Sequence, residues 1–231
     1  MIESVQFGSA TIVFRLEFSD RKTLGITVTP DMEVIVRAPV DASMEAIREK
    51  VRKRAPWILK QQSQFLAYFP KTQVRKYVSG ETHLYMGRQF RLLVTIGPVE
   101  SVKLKGKFLE VVASDMTKVK GLVKNWYLEH AKEKFPLIAS PLIERFKRYK
   151  VEPSALVLRE MSTRWGSCTP KGKIILNPEL IKAPKACIEY VIIHELCHLV
   201  HHDHTQKFMD LQTKEMKDWV RWKSKLEKLL A

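Results

Sequence analysis

The most constraining stretch of this 231-residue chain lies between Pro184 and His201. From Ile188 to Val200 apolar residues fall on nearly every side of a helical turn, so a helix here has no face to give to water and must be buried. Pro184 can open such a helix at its first turn. Three polar residues interrupt the run: His194, Glu195 and His198. Burying two imidazoles and a carboxylate costs on the order of several kcal/mol unless something pairs them. The rest of the chain must therefore wrap a core around this helix and also satisfy the polar cluster inside it.

His194-Glu195-Leu196-Cys197-His198 fits the H-E-x-x-H pattern, which turns both imidazoles to one helix face with a carboxylate beside the first. Two neutral imidazoles suit Zn²⁺, whose catalytic sites keep one of four positions open for water. The metal lowers that water's pKa, and Glu195, not itself a ligand, can take the proton as general base. The pattern thus predicts a zinc metallohydrolase with one Zn²⁺ per chain. A third ligand is needed. His201 shares the face of His194, but seven residues of helix separate them by roughly 10.5 Å along the axis. His204 fits if the helix stops near His201 and His202, with Asp203 as a left-handed turn residue. Glu215 fits if the next helix packs across the site. His204 is the preferred choice, and its spacing is that of the metzincin zinc motif, with His201 where that motif has Gly.

Ahead of this helix the chain changes texture once. Up to Val40, alternation in 11–18, 25–29 and 33–37 predicts a small antiparallel meander with a turn at Pro30-Asp31. Met44 to Gln64 reads as a basic helix, capped at Asp41 to Ser43 and divided or kinked at Pro56. Strands return at 83–86, 90–94, 102–104 and 108–112. From Val119 to Tyr149 apolar spacing predicts two helices, interrupted near Pro136 and Pro141. Two strands, 156–158 and 173–177, flank a loop from Ser162 to Gly172, and one charged helix closes the chain from Gln206 to Leu230. The expected architecture is α+β: a strand-rich region 1–116 with one basic helix, then a catalytic region 117–231. The boundary near Ser114 to Lys118 is soft enough for one continuous domain, and no internal repeat is visible.

Lys plus Arg number 40 against 25 Asp plus Glu, a formal charge of +15 that favours acidic partners, among them nucleic acid and nucleotides. Lys214, Lys217, Arg221, Lys223, Lys225 and Lys228, with Trp219 and Trp222 between them, offer either a nucleic-acid surface or a solvated helix face. No stretch is apolar enough for a membrane span, and the amino terminus carries no export pattern. Three cysteines, Cys168, Cys187 and Cys197, make no disulfide framework, so a cytoplasmic location is expected.

The chain resembles the YgjP-like metallopeptidase domain family, grouped with the SprT-like and Wss1-like zinc proteases. The likeness rests on Thr163-Arg164-Trp165-Gly166-Ser167-Cys168, then 172–177, Leu180-Ile181, 194–198, and His204-Thr205 with Phe208. Earlier stretches also fit: 36–39, Trp57-Ile58, Gly80-Glu81 and 84–88. The family usually has Asn before its third His, where this chain has Asp203. The resemblance implies a compact zincin-like core, zinc ligands His194, His198 and His204, Glu195 as base, and a peptide or protein substrate. By their own residue types Arg164, Trp165, Gly166 and Ser167 are either substrate-binding residues or a loop closing under the metal helix with Trp165 as core, and Arg164 or a neighbouring His is the expected stabiliser of the oxyanion. In zincin-like folds a strand edge beside the metal pairs with peptide, and Lys173 to Asn177 is the candidate strand. Two rivals to peptide hydrolysis remain: a metal-dependent nucleoside triphosphate pyrophosphohydrolase, and a DNA-associated protease module of low intrinsic activity.

Overall fold

Alternating apolar residues give the first 38 residues four strands: β1 (Ile2–Phe7), β2 (Ala10–Phe18), β3 (Gly25–Val28) and β4 (Val34–Ala38). The computed structural model describes residues 1–8, 10–29, 32–66, 75–161 and 164–230, without the side chains of 63–66. The turn expected at Pro30-Asp31, and Ser162 and Thr163 of the later loop, lie outside these residues. The strands run in the order β1-β2-β4-β3, with β2 and β4 parallel, and are not the meander the alternation suggested. β4 is the most continuously apolar of them, buried at four of five positions. Such a strand is stable inside the sheet, so the chain threads it between β2 and the short edge strand β3. Helix α1 (Met44–Leu66) starts where the Ser43 hydroxyl accepts from Ala46 N at 3.3 Å, and it runs through Pro56 without ending. Ile47, Val51, Ala55 and Ile58 close the core over Val5, Ile12, Phe14 and Val36.

The chain divides into two compact units, Met1–Thr72 and Gln73–Leu230. The turn at Ser114 to Lys118, the expected boundary, is a strand-to-helix junction inside the second unit. That unit begins with β5 (Thr82–Tyr85), β6 (Arg88–Ile96), β7 (Ser101–Lys105) and β8 (Phe108–Ala113), ordered β5-β6-β8-β7. Asp115 then caps α2 (Met116–Phe146), accepting from Thr117 N at 2.8 Å. One helix of 31 residues replaces the two expected, with Pro136 and Pro141 inside it. An interior proline costs a helix about 3 kcal/mol. Phe135, Ile138, Ala139 and Leu142, all buried around those prolines, supply packing that outweighs the local defect.

After a 3₁₀ turn at Lys147–Tyr149 come β9 (Ala155–Leu158), β10 (Gly166–Cys168) and β11 (Lys173–Leu176), ordered β10-β11-β9. β10 lies in the segment read as loop; at three residues it is too short to show a period. A 3₁₀ segment, Pro178–Lys182, leads into α3 (Lys185–Val200). The tip of the β5–β6 hairpin holds that junction: Met86 N donates to Ile181 O at 2.8 Å and Gly87 N to Lys182 O at 3.0 Å. Gly87 is in the left-handed region at φ +78, and a Cβ there would lie 2.6 Å from Pro184 Cγ, so no other residue permits this approach. The single closing helix expected from Gln206 to Leu230 is two, α4 (Gln206–Glu215) and α5 (Trp219–Leu230). Met216 is extended between them, which lets Phe208 and Leu211 on one helix and Leu226 on the other all reach the core. No helix among the described residues is long and apolar enough to cross a membrane.

Candidate metal centre

Every part of the site comes from the second unit. His194 and His198 stand one turn apart on α3, whose apolar residues Ile192, Ile193, Leu196 and Cys197 are buried as the sequence required. The helix ends at His201, which is extended at φ −133, and Thr205 N donates to Asp203 O at 2.7 Å. Asp203 is not left-handed, contrary to expectation; the extended His201 turns the chain in its place. That turn brings His204 back over the helix. One ring nitrogen from each of His194, His198 and His204 lies within 4.8 Å of the others.

The second ring nitrogens explain the orientation. His194 Nδ1 faces Gln212 Oε1 at 2.8 Å, and His198 Nδ1 faces the His202 carbonyl at 3.0 Å. Both partners accept, so Nδ1 carries the proton in each ring and Nε2 keeps a free lone pair. Burial pushes the His194 pKa down to about 4 and lowers that of His198, which keeps both rings neutral. His204 Nε2 comes within 3.1 Å of His194 Nε2. With the His198 nitrogen beside them, three imidazole nitrogens converge on one point, a donor set that fits a divalent metal. The ring of Phe208, fully buried, sits 5.0, 4.7 and 4.8 Å from the three imidazole centroids and forms an apolar floor beneath them.

Glu195 points from α3 toward β10. Burial raises its pKa to about 7, against the opposing pull of the Arg164 charge and the Cys168 backbone N–H. Gly166 makes the approach possible: a Cβ there would lie 2.6 Å from Glu195 Oε1 and 2.8 Å from Val191 Cγ1. Arg164, Trp165, Gly166 and Ser167 all line one cleft of about 780 Å³ with His194, Glu195, His198 and His204. Thr163 lies outside the described residues. β11, the strand proposed to pair with peptide, is central, bonded to β10 on one side and β9 on the other, and has no free edge. β10 and β9 are the edge strands, and β10 is the one that lines the cleft. Asn177 N donates to Trp165 O and Thr169 N to Lys173 O, so in this antiparallel ladder the backbone groups of Gly166 and Cys168 face away from β11.

Glu215, the other candidate ligand, is elsewhere. Its buried carboxylate takes hydrogen bonds from Arg148 and the Tyr149 hydroxyl and pairs with Arg145 Nε at 3.0 Å. Cys197 is in the core, and Trp219 and Trp222 pack against it, with Arg221 and Lys225 over the Trp222 ring. The residue that sequence reasoning missed is Gln212, 1% exposed. Its signal was present: Phe208, Leu211, Gln212 and Glu215 form the buried stripe of α4 at helical spacing, and two members of that apolar face are polar.

No curated protein and no solved structure matches the chain. A family model does, over residues 22–229, under the description YgjP-like, metallopeptidase domain. With nearly the whole chain matched and a histidine triad suited to a divalent metal, the protein belongs to the YgjP-like metallopeptidase domain family.

Proposed function

We propose that the protein is a zinc-dependent metallopeptidase whose ligands are His194, His198 and His204 and whose general base is Glu195. The observation that carries this reading is the convergence of three imidazole nitrogens within 4.8 Å, in a cleft that also holds the Glu195 carboxylate. Three imidazoles favour Zn²⁺ over the harder Mg²⁺ and Ca²⁺, and bound zinc supplies Lewis acidity, polarising a peptide carbonyl and lowering the pKa of water. The chain's own residues do the rest. A peptide pairs in extended form with the outward backbone groups of Gly166 and with the Cys168 carbonyl, which fixes the scissile bond beside Glu195. Glu195, aligned by Cys168 N–H, accepts a proton from the attacking water and delivers it to the departing amine. Gln212 and the His202 carbonyl keep two ligand rings in the orientation that presents Nε2. Trp165 and Val191 give the cleft apolar walls.

Glu195→Gln separates the base from the metal. It should retain zinc and fold, yet hydrolyse unfolded protein more slowly by on the order of 10² or more. Survival of activity within a few-fold would remove Glu195 from the mechanism. Running nucleoside triphosphates beside the protein substrate tests the pyrophosphohydrolase alternative in the same experiment.

A further inference from the structure

Arg164 is the only permanent cation lining the cleft among the described residues, and Glu195 is the only carboxylate there. The guanidinium has no ion-pair partner among those residues, and its charge acts on Glu195 across the cleft. Other cations of this unit meet carboxylates of the chain: Arg145 and Arg148 share Glu215, and Lys182 pairs with Glu179. Arg164 is also firmly anchored. Asn177, 3% exposed, donates from Nδ2 to Arg164 O at 3.2 Å and to Met161 O at 2.8 Å. The same residue donates from its backbone N to Trp165 O at 2.9 Å and accepts from Glu179 N at 3.2 Å. A buried amide using all these groups holds the backbone at the foot of an unpaired guanidinium. The exposed side chain rises from that fixed backbone beside the cleft.

The position of Arg164 on the chain limits where the ligand can sit. Arg164 precedes Gly166 by two residues and lies outside β10, beyond a bend at Trp165. Gly166 is the position in contact with Glu195. On a peptide paired with this edge, Arg164 therefore faces a residue just beyond the paired stretch, within a few positions of the bond facing Glu195. We infer that Arg164 is a specificity-determining residue that selects peptides carrying an acidic side chain, Asp or Glu, within a few residues of the cleaved bond. This rests on the peptidase reading above and adds the substrate class. A guanidinium fits a carboxylate with two parallel hydrogen bonds, so Arg should outperform Lys at this position.

The test uses peptides identical except for Glu, Gln or Lys at single positions on either side of one bond. Zinc-loaded wild type should favour Glu over Gln at one position by about tenfold in kcat/KM, chiefly through KM, and the preference should shrink with added salt. Arg164→Gln should abolish the preference, Arg164→Lys should keep part of it, and Arg164→Glu should favour Lys at that same position. An equal fall in kcat on every peptide, with the preference intact, would overturn the inference and make Arg164 a stabiliser of developing charge. A second arm needs no turnover: fluorescence anisotropy of the same labelled peptides on Glu195→Gln, with and without Arg164→Glu. Equal binding of Glu and Lys peptides in that arm overturns the acidic specificity. Failure of wild type to cleave any peptide, with the binding preference present, overturns the peptidase reading instead.

Discussion

Residues 2–58 and 82–130 trace the same path. Each begins with a hairpin, adds an edge strand and a strand parallel to the hairpin's second arm, and then crosses the sheet with a helix. The register is shared as well: Phe14 pairs with Val34 and Phe18 with Ala38, as Leu92 pairs with Leu109 and Ile96 with Ala113. Ile47, Val51 and Ala55 of α1 and Val119, Val123 and Tyr127 of α2 occupy the same buried turns. The two copies part on the other side of the helix. α1 carries exposed Lys50 and Arg54 where α2 carries Leu122 and Trp126, both packed into the core. A helix with one apolar face can close one sheet. A helix with two can close the sheet and also hold the Pro178–Lys182 segment and α3, the metal helix, against its back. The copy whose helix is apolar on this second face is the one built into the site.

The largest effect expected from this contrast is on metal binding. Phe14→Ala and Phe135→Ala each remove a fully buried ring, at a cost of about 3–5 kcal/mol. Only Phe135→Ala should lose zinc as its unit unfolds, as read by denaturant titration with zinc binding followed in parallel. Loss of zinc in Phe14→Ala would show that the first copy supports the site.

The next effect exchanges a residue between copies. His83 stands where the first copy has Val5, opposite Phe90 as Val5 is opposite Ile12. It is 1% exposed, its Nε2 lies 3.6 Å from Glu81 Oε2, and burial outweighs that carboxylate and lowers its pKa to about 4. The unfolded chain, with His near its ordinary pKa of about 6.5, binds the proton first as pH falls. The contribution of neutral His83 is therefore complete above about pH 6.5 and is lost as pH falls through about 4, up to about 3 kcal/mol. His83→Val should flatten the stability profile across that window relative to wild type. An unchanged difference between pH 7 and pH 4 would mean that other groups carry it.

The smallest compares two glycines. A Cβ at Gly166 meets the Glu195 carboxylate at 2.6 Å, whereas Gly8, in the first unit, has nothing within 4 Å. Gly166→Ala should slow hydrolysis on the order of 10²-fold with zinc retained, because it displaces the base. Gly8→Ala, strained only by its φ of +59, should cost about 1 kcal/mol of stability and no activity. Equal activity losses would detach Glu195 from its contact with Gly166.

Much of this was readable in the residues, and the rest was not for definite reasons. The buried metal helix showed because apolar residues on all sides of a turn admit one solution. Seven strands of the two four-stranded sheets showed through their period, all but β1, but not their order, since parallel pairing of β2 with β4 is settled by which strand is apolar on both faces. The repeat was invisible because the two copies share burial without sharing residues: Phe14 against Leu92, Val5 against His83, Lys50 against Leu122. β10 escaped because three residues show no period, and Pro136 and Pro141 misled because local helix cost was read without the packing around it. The turn to His204 was expected but assigned to the wrong residue, since backbone angles at His201 and Asp203 depend on what the rings must reach.

The central claim is that three histidines of the second unit hold one zinc ion, with Glu215 serving only to anchor α4. Zinc per chain, measured by elemental analysis after dialysis against a competing chelator, tests it on wild type, His204→Ala and Glu215→Gln. The account predicts about one zinc in wild type and in Glu215→Gln and almost none in His204→Ala. Full occupancy in His204→Ala, or loss confined to Glu215→Gln, would contradict it.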